Sequence, residues 1–289
     1  MIEAPGLELA AEPAGEWRAE GPLASRVLNM AARVAGRLAI RGYPVGPTRL
    51  EVGHAPPEHV GLGVGTQLGL GVARLLARLS GCPDPTAEEL AELTGRGLRS
   101  GIGLHGSSWG GLIVDGGRRG PEGIPPLLAR VEFPAGWSSL VVVPRCDPGL
   151  SGSEEVQAFA NLPPSPDALT DRLCRLVLLG LLPAAIEGDL LGFGEALTEL
   201  QRQVGQGFAP AQGGLFARPE LETVADILRS EGLQGVGQSS WGPTLYGFTD
   251  ASSDGRAAVL RRILDRTGLP PGSACWTSAS RRGAIIASV

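Results

Sequence analysis

Apolar residues recur at helical spacing between positions 22 and 40. Leu23, Val27, Met30, Val34 and Leu38 share one face, and Pro22 suits a first helical turn. The spacing predicts a helix over 22–40. Residues 48–52 alternate like a strand with one buried face. A glycine-dense stretch follows, then an Ala/Leu-rich run that predicts a helix over about 66–79. Thr86 and Glu89 have capping-box spacing, which starts a short helix ending near Thr94. Residues 102–114 read as strand material interrupted by glycines, and 121–126 as a loop near a domain boundary.

The second half begins with a short apolar strand at 138–143 and is then mostly helical in period. Helices are predicted over 153–161, 167–182, 186–204, 219–230 and 252–267. Strands are predicted over 235–239, 244–249, 273–277 and 284–289. Strands interleave with helices in both halves, so the expected class is α+β. The longest apolar run, 176–186, is broken by Gly180 and Pro183. It is too short for a membrane span, which needs about 20 apolar residues.

Composition narrows the chemistry. The net charge of −5 argues against a general nucleic-acid binder. The chain contains no lysine; every basic side chain is arginine. That excludes Schiff-base lysine chemistry and a P-loop lysine, and leaves phosphate recognition to Arg, His and backbone N–H groups. Cys82, Cys146, Cys174 and Cys275 form no CxxC pair, so neither a disulfide framework nor a zinc knuckle is expected. The first twenty residues are acidic and lack an apolar core segment, so no signal peptide is expected and the predicted location is cytoplasmic.

The glycine-dense stretch, Glu58-His59-Val60-Gly61-Leu62-Gly63-Val64-Gly65-Thr66-Gln67-Leu68, opens a predicted helix. Glycines let a backbone approach an anion closely, and a helix N-terminus adds partial positive charge. The stretch is neither a Walker loop nor a dinucleotide fingerprint, since both spacings fail.

Three later strings accompany it in order: Gly95-Arg96-Gly97-Leu98-Arg99-Ser100-Gly101-Ile102-Gly103-Leu104-His105-Gly106, Pro148-Gly149-Leu150-Ser151-Gly152-Ser153-Glu154-Glu155 and Gly237-Gln238-Ser239-Ser240-Trp241-Gly242-Pro243-Thr244. Together the four resemble the β-ribofuranosylaminobenzene 5′-phosphate synthases of methanopterin biosynthesis, members of the GHMP kinase superfamily. The resemblance implies a two-domain α+β fold. A domain like the second domain of ribosomal protein S5 would occupy 1–133, and a ferredoxin-like domain 134–289. Family members precede a segment like Ile2-Glu3-Ala4-Pro5-Gly6-Leu7 with a glycine-rich strand pair. The N-terminal strands are therefore expected to be missing here.

The resemblance also implies a reaction. Phosphoribosyl pyrophosphate and 4-hydroxybenzoate or 4-aminobenzoate would give a C-riboside 5′-phosphate, carbon dioxide and pyrophosphate, with Mg²⁺ as cofactor. The partners would be small molecules, with neither nucleic acid nor membrane, and a homodimer is compatible. Two other readings stay open. One is an ATP-dependent kinase of the same superfamily, and the other a non-catalytic ligand-binding relative.

Residues are assigned as follows. Gly61, Leu62, Gly63, Gly65, Thr66 and Gln67 would cradle the donor's diphosphate. Arg99, Ser100 and Gly101 would converge on one phosphate oxyanion, since a guanidinium fork suits phosphate; Arg96 fits that role or a solvated surface equally. His59 and His105 are the candidate bases. His105 fits a packed role equally well, and His54 reads as structural. Gln238, Ser239, Ser240 and Trp241 join polar donors to an aromatic face, which suits an aromatic acid. Glu154 is the candidate metal ligand, with a helix-start acid as the other reading.

Overall fold

The computed structural model describes residues 1–97, 100–118, 120, 123–144, 157–158, 161–163 and 165–287. Contacts group the chain into two units. The first holds Met1–Pro57, Gly63–Arg130 and Ser280–Val289, and the second Glu58–Leu62 and Val131–Ala279.

The first unit contains β1 (Glu8–Pro13), β2 (Arg18–Glu20), α1 (Ala24–Ile40), β3 (Thr48–His54), α2 (Val64–Leu79), α3 (Ala87–Thr94), α4 (Ile102–Trp109), β4 (Leu112–Asp115) and β5 (Leu127–Val131). β3 is the centre of a three-stranded sheet, with β1 antiparallel on one side and β2 parallel on the other. The sequence reading placed no strand in 8–20, because neither segment is long or apolar enough to stand out. Here both are present. Leu9 and Ala11 of β1 and Ala19 of β2 pack against the core that α1 and α2 share. Val27, Met30, Ala31, Val34 and Leu38 of α1 are buried, as the periodicity predicts. The Thr86–Glu89 capping box forms in both directions.

The strand expected over 102–114 is instead α4 followed by β4. Glycines at 101, 103 and 106 weaken any local helix signal, so the helix depends on tertiary partners. The Asp115 carboxylate accepts from the Gly101 N–H at 2.7 Å and the Ser100 hydroxyl at 3.1 Å, and the Ser100 hydroxyl accepts from the Ile102 N–H. A carboxylate at a helix start is favoured by the dipole. Gly110, at φ 62°, ends the helix.

The second unit contains β6 (Ser138–Val142), α5 (Asp167–Leu176), a π-helical turn (Val177–Leu181), α6 (Leu182–Glu187), α7 (Leu190–Gln212), α8 (Pro219–Ser230), β7 (Gln234–Gln238), β8 (Leu245–Thr249), α9 (Ser253–Thr267) and β9 (Ala274–Thr277). Its four-stranded antiparallel sheet has the order β7–β8–β6–β9. Two predicted helices change their bounds. The one over 167–182 gives way to the π turn after Leu176, and α7 starts at Leu190 behind Asp189, whose side chain accepts from the Gly192 N–H. The strand expected over 284–289 is absent among the described residues 284–287; Ala284 N–H instead donates to the Ser107 carbonyl. Most of the helix expected over 153–161 lies outside the described residues.

Glu231 ties the end of α8 to α9. Its carboxylate is 8% exposed and accepts from Arg262 Nε at 2.6 Å and Arg266 at 2.7 Å. The Arg262 hydrogen bond first, then that of Arg266, holds its pKa below the ordinary glutamate range. A depressed carboxylate pKa stabilises the fold above the unfolded value, and this contribution is lost as pH falls through the folded value. The melting temperature of the parent should therefore exceed that of Glu231→Gln at neutral pH. The gap should close in scans below about pH 4.

Candidate functional site

The glycine-dense stretch is shared between the units, with 58–62 in the second and Gly63 onward in the first. In the second unit, 58–62 runs beside the turn 239–244. Thr244 N–H donates to the Val60 carbonyl at 3.2 Å, and the Ser239 hydroxyl donates to the Gly61 carbonyl at 2.8 Å. Two glycines allow this approach. A Cβ on Gly242 would overlap the peptide joining Val60 to Gly61. One on Gly61, at φ +95°, would overlap the Ser239 carbonyl oxygen.

Among the described residues three non-glycines have positive φ, and two lie on these segments: His59 at 61° and Ser240 at 57°. Such a backbone costs about 1–3 kcal/mol per residue and persists where the surroundings over-determine it, which happens most at functional sites. The side chains of His59 and Ser240 are exposed.

The four residues expected to bind an aromatic acid divide here. Ser240 presents its side chain to solvent. Gln238 is 8% exposed; its Oε1 accepts from Ala217 N–H at 2.8 Å, and its Nε2 donates to the Ser240 carbonyl at 2.8 Å. Ser239 holds Gly61. Trp241 is 6% exposed and packs edge-on against Phe208, with centroids 5.3 Å apart. Gln238 and Ser239 thus spend their hydrogen-bonding groups on backbone, and Trp241 is a wall more than a platform.

In the first unit, α2 starts at Gly63 with no side-chain cap and no acidic residue in its first turn. Thr66 and Gln67 N–H donate to the Gly63 carbonyl, which leaves the Val64 and Gly65 N–H groups at the helix start without an intrahelical acceptor. The Arg26 guanidinium lies 2.7 Å from the place a Gly65 Cβ would occupy, and that of Arg96 lies 3.8 Å from it. Two guanidiniums and a helix N-terminus therefore converge at Gly65, which is favourable ground for a phosphate. Arg26 was missed by sequence reasoning. It sits on α1, and only the packing of α1 on α2 brings it here. Thr66 packs its methyl toward Gly103, and Gln67 donates to the Gly103 carbonyl at 3.0 Å, so this pair braces α2 against α4.

The oxyanion expected at Ser100 and Gly101 is supplied by the chain itself, as Asp115. Arg99 lies outside the described residues, as does Glu154. Of the two roles left open for His105, the geometry matches the packed one. It is 4% exposed on α4, and its Nε2 lies 2.8 Å from the Pro125 carbonyl. A carbonyl only accepts, so that nitrogen carries the hydrogen. His54 bonds the Gly6 carbonyl and is structural, as read. Among the described residues no three His, Cys, Asp or Glu side chains gather into a metal site, and no helix is long and apolar enough to cross a membrane.

Comparison with known proteins decides the family. The chain is 36% identical to a β-ribofuranosylphenol 5′-phosphate synthase of Methanothermobacter thermautotrophicus, over 80% of this chain and 70% of that protein. It is 32% identical to the protein of that name from Archaeoglobus fulgidus, over 92% and 84%. The chain belongs to the β-ribofuranosylphenol 5′-phosphate synthase family. It is therefore an enzyme of methanopterin biosynthesis and a transferase of the GHMP superfamily. Residues 181–268 match the model described as GHMP kinases C terminal. Solved structures agree on the fold. Homoserine kinase of Cytophaga hutchinsonii matches with a TM-score of 0.66 at 14% identity, over 98% of this chain and 89% of that one. L. major mevalonate kinase matches with 0.65 at 18%, over 96% and 87%. At such identities the likeness shows the architecture alone.

Proposed function

We propose that this synthase-family enzyme joins phosphoribosyl pyrophosphate to a para-substituted benzoate, forming a C-riboside 5′-phosphate with release of carbon dioxide and pyrophosphate. The observation that carries the reading is the 36% identity to a named β-ribofuranosylphenol 5′-phosphate synthase. The phenol in that name favours 4-hydroxybenzoate over 4-aminobenzoate as acceptor.

The residues can divide the work. Arg26, Arg96 and the first turn of α2 neutralise the diphosphate as the bond from the anomeric carbon to its oxygen breaks. The anomeric carbon becomes oxocarbenium-like. The ring carbon bearing the carboxylate attacks it, forming the carbon–carbon bond. The bond to the carboxylate then breaks, its electron pair returns to the ring, and carbon dioxide leaves. No proton is gained or lost overall. His59, the exposed histidine on a strained turn, takes the para-hydroxyl proton as attack develops and returns it afterwards. Mg²⁺ would be held mainly by the donor's own diphosphate oxygens, since the described residues offer no carboxylate cage; no step here is routed through it. The reading takes small molecules as partners, with neither nucleic acid nor membrane, in the cytoplasm, and is compatible with a homodimer.

The test supplies phosphoribosyl pyrophosphate with carboxyl-labelled 4-hydroxybenzoate, and 4-aminobenzoate in parallel. Labelled carbon dioxide and pyrophosphate should appear in equal amounts. ADP formation from ATP with no carbon dioxide would point to a kinase and end this reading.

A further inference from the structure

Two side chains beside the paired segments of the second unit point their polar ends at backbone. The Gln238 amide is used at both ends, accepting from Ala217 N–H and donating to the Ser240 carbonyl. The Ser239 hydroxyl donates to the Gly61 carbonyl. Each acts on, or two residues from, a left-handed non-glycine: Ser240 at φ 57° and His59 at φ 61°. Both of those carry exposed side chains. A strained backbone relaxes unless something holds it, and these two side chains are what holds it, with the Thr244–Val60 hydrogen bond between them.

We infer that Gln238 and Ser239 are positioning residues, which hold the strained turns at Ser240 and His59 so that those two side chains are presented together to the aromatic acid. The inference rests on the proposed synthase reaction. It assigns Ser240 and His59 to the acceptor and removes Gln238 and Ser239 from direct contact with it.

Gln238→Glu separates the arms. A carboxylate still accepts from Ala217 N–H but cannot donate to the Ser240 carbonyl. A protonated carboxyl can do both, and burial favours the protonated form. At about pH 8 the variant should lose roughly tenfold or more in kcat, with KM for phosphoribosyl pyrophosphate within about threefold of the parent. The loss relative to parent should shrink at least about threefold near pH 5.5. Ser239→Ala should lower kcat in the same way, and Ser239→Thr, which keeps the hydroxyl, should restore part of it. Hydrogen exchange at 239–244 should quicken in Gln238→Glu and Ser239→Ala. A kcat loss that stays constant with pH overturns the inference. So does a rise in KM for the benzoate with kcat unchanged, which is the mark of a direct contact. If the parent itself releases no carbon dioxide, the synthase reading fails, and exchange at 239–244 still decides the holding role. Unchanged exchange in both variants then rejects it.

Discussion

Gly242→Ala should abolish most turnover and lower the melting temperature. Its added Cβ would fall on the peptide between Val60 and Gly61, which is backbone and cannot swing aside as a flexible side-chain end can. Relief requires the segments 58–62 and 239–244 to part, which breaks the Thr244–Val60 and Ser239–Gly61 hydrogen bonds. Overpacking of this kind costs about 1–3 kcal/mol. At roughly 2–4 °C per kcal/mol for a unit of this size, a calorimetric scan should show it clearly. Activity should fall further than stability, because His59 and Ser240 both ride on the separated segments. Gly136→Ala is the control, since its Cβ would meet nothing within 4 Å. A Gly242→Ala protein that melts and turns over like the parent would show that the backbones do not interlock.

Arg26→Ala should weaken binding of inorganic pyrophosphate and of the sugar donor by about ten- to a hundredfold in titration calorimetry. A charge-assisted hydrogen bond is worth about 1.5–3 kcal/mol, and each 1.4 kcal/mol is a factor of ten. Arg26→Lys should recover only part of this, because an ammonium lacks the planar fork. The helix N-terminus alone supplies a weaker attraction, typically about 0.3–1 kcal/mol, so it cannot mask the loss. Equal affinity in parent and Arg26→Ala would remove that arginine from the phosphate site and leave Arg96 and the α2 backbone as the binders there.

Several elements were legible because their signals are local. The periodicity of α1, the capping box of α3 and the bounds of α8 depend on residues within one or two turns of each other. Within the motif strings, segments 58–62 and 239–244 pack on each other, and Gly61 and Gly242 are required by that contact. Other features were not legible. The string Ser-Ser-Trp-Gly occurs at 107–110 and at 239–242. The first copy ends helix α4, while the second follows strand β7 as a turn. Nothing within four residues distinguishes them; Asp115 and the Pro125 carbonyl select the helix, and the backbone of 60–61 selects the turn.

The residues of this chain by themselves determined the α+β class and the absence of lysine chemistry, which leaves phosphate recognition to arginine, histidine and backbone N–H groups. Both follow from composition and from short-range periodicity. Tertiary structure alone decided which side chains in the motif strings remain available. Asp115 fills the place expected for a phosphate at Ser100 and Gly101. Pro125 takes the proton-bearing nitrogen of His105. Gln238 and Ser239 are consumed by backbone, and Arg26 arrives from another helix. The reason is that a hydrogen-bonding group's function depends on who already occupies it, and apart from the Ser240 carbonyl beside Gln238 the occupants here come from 14 to 178 residues away.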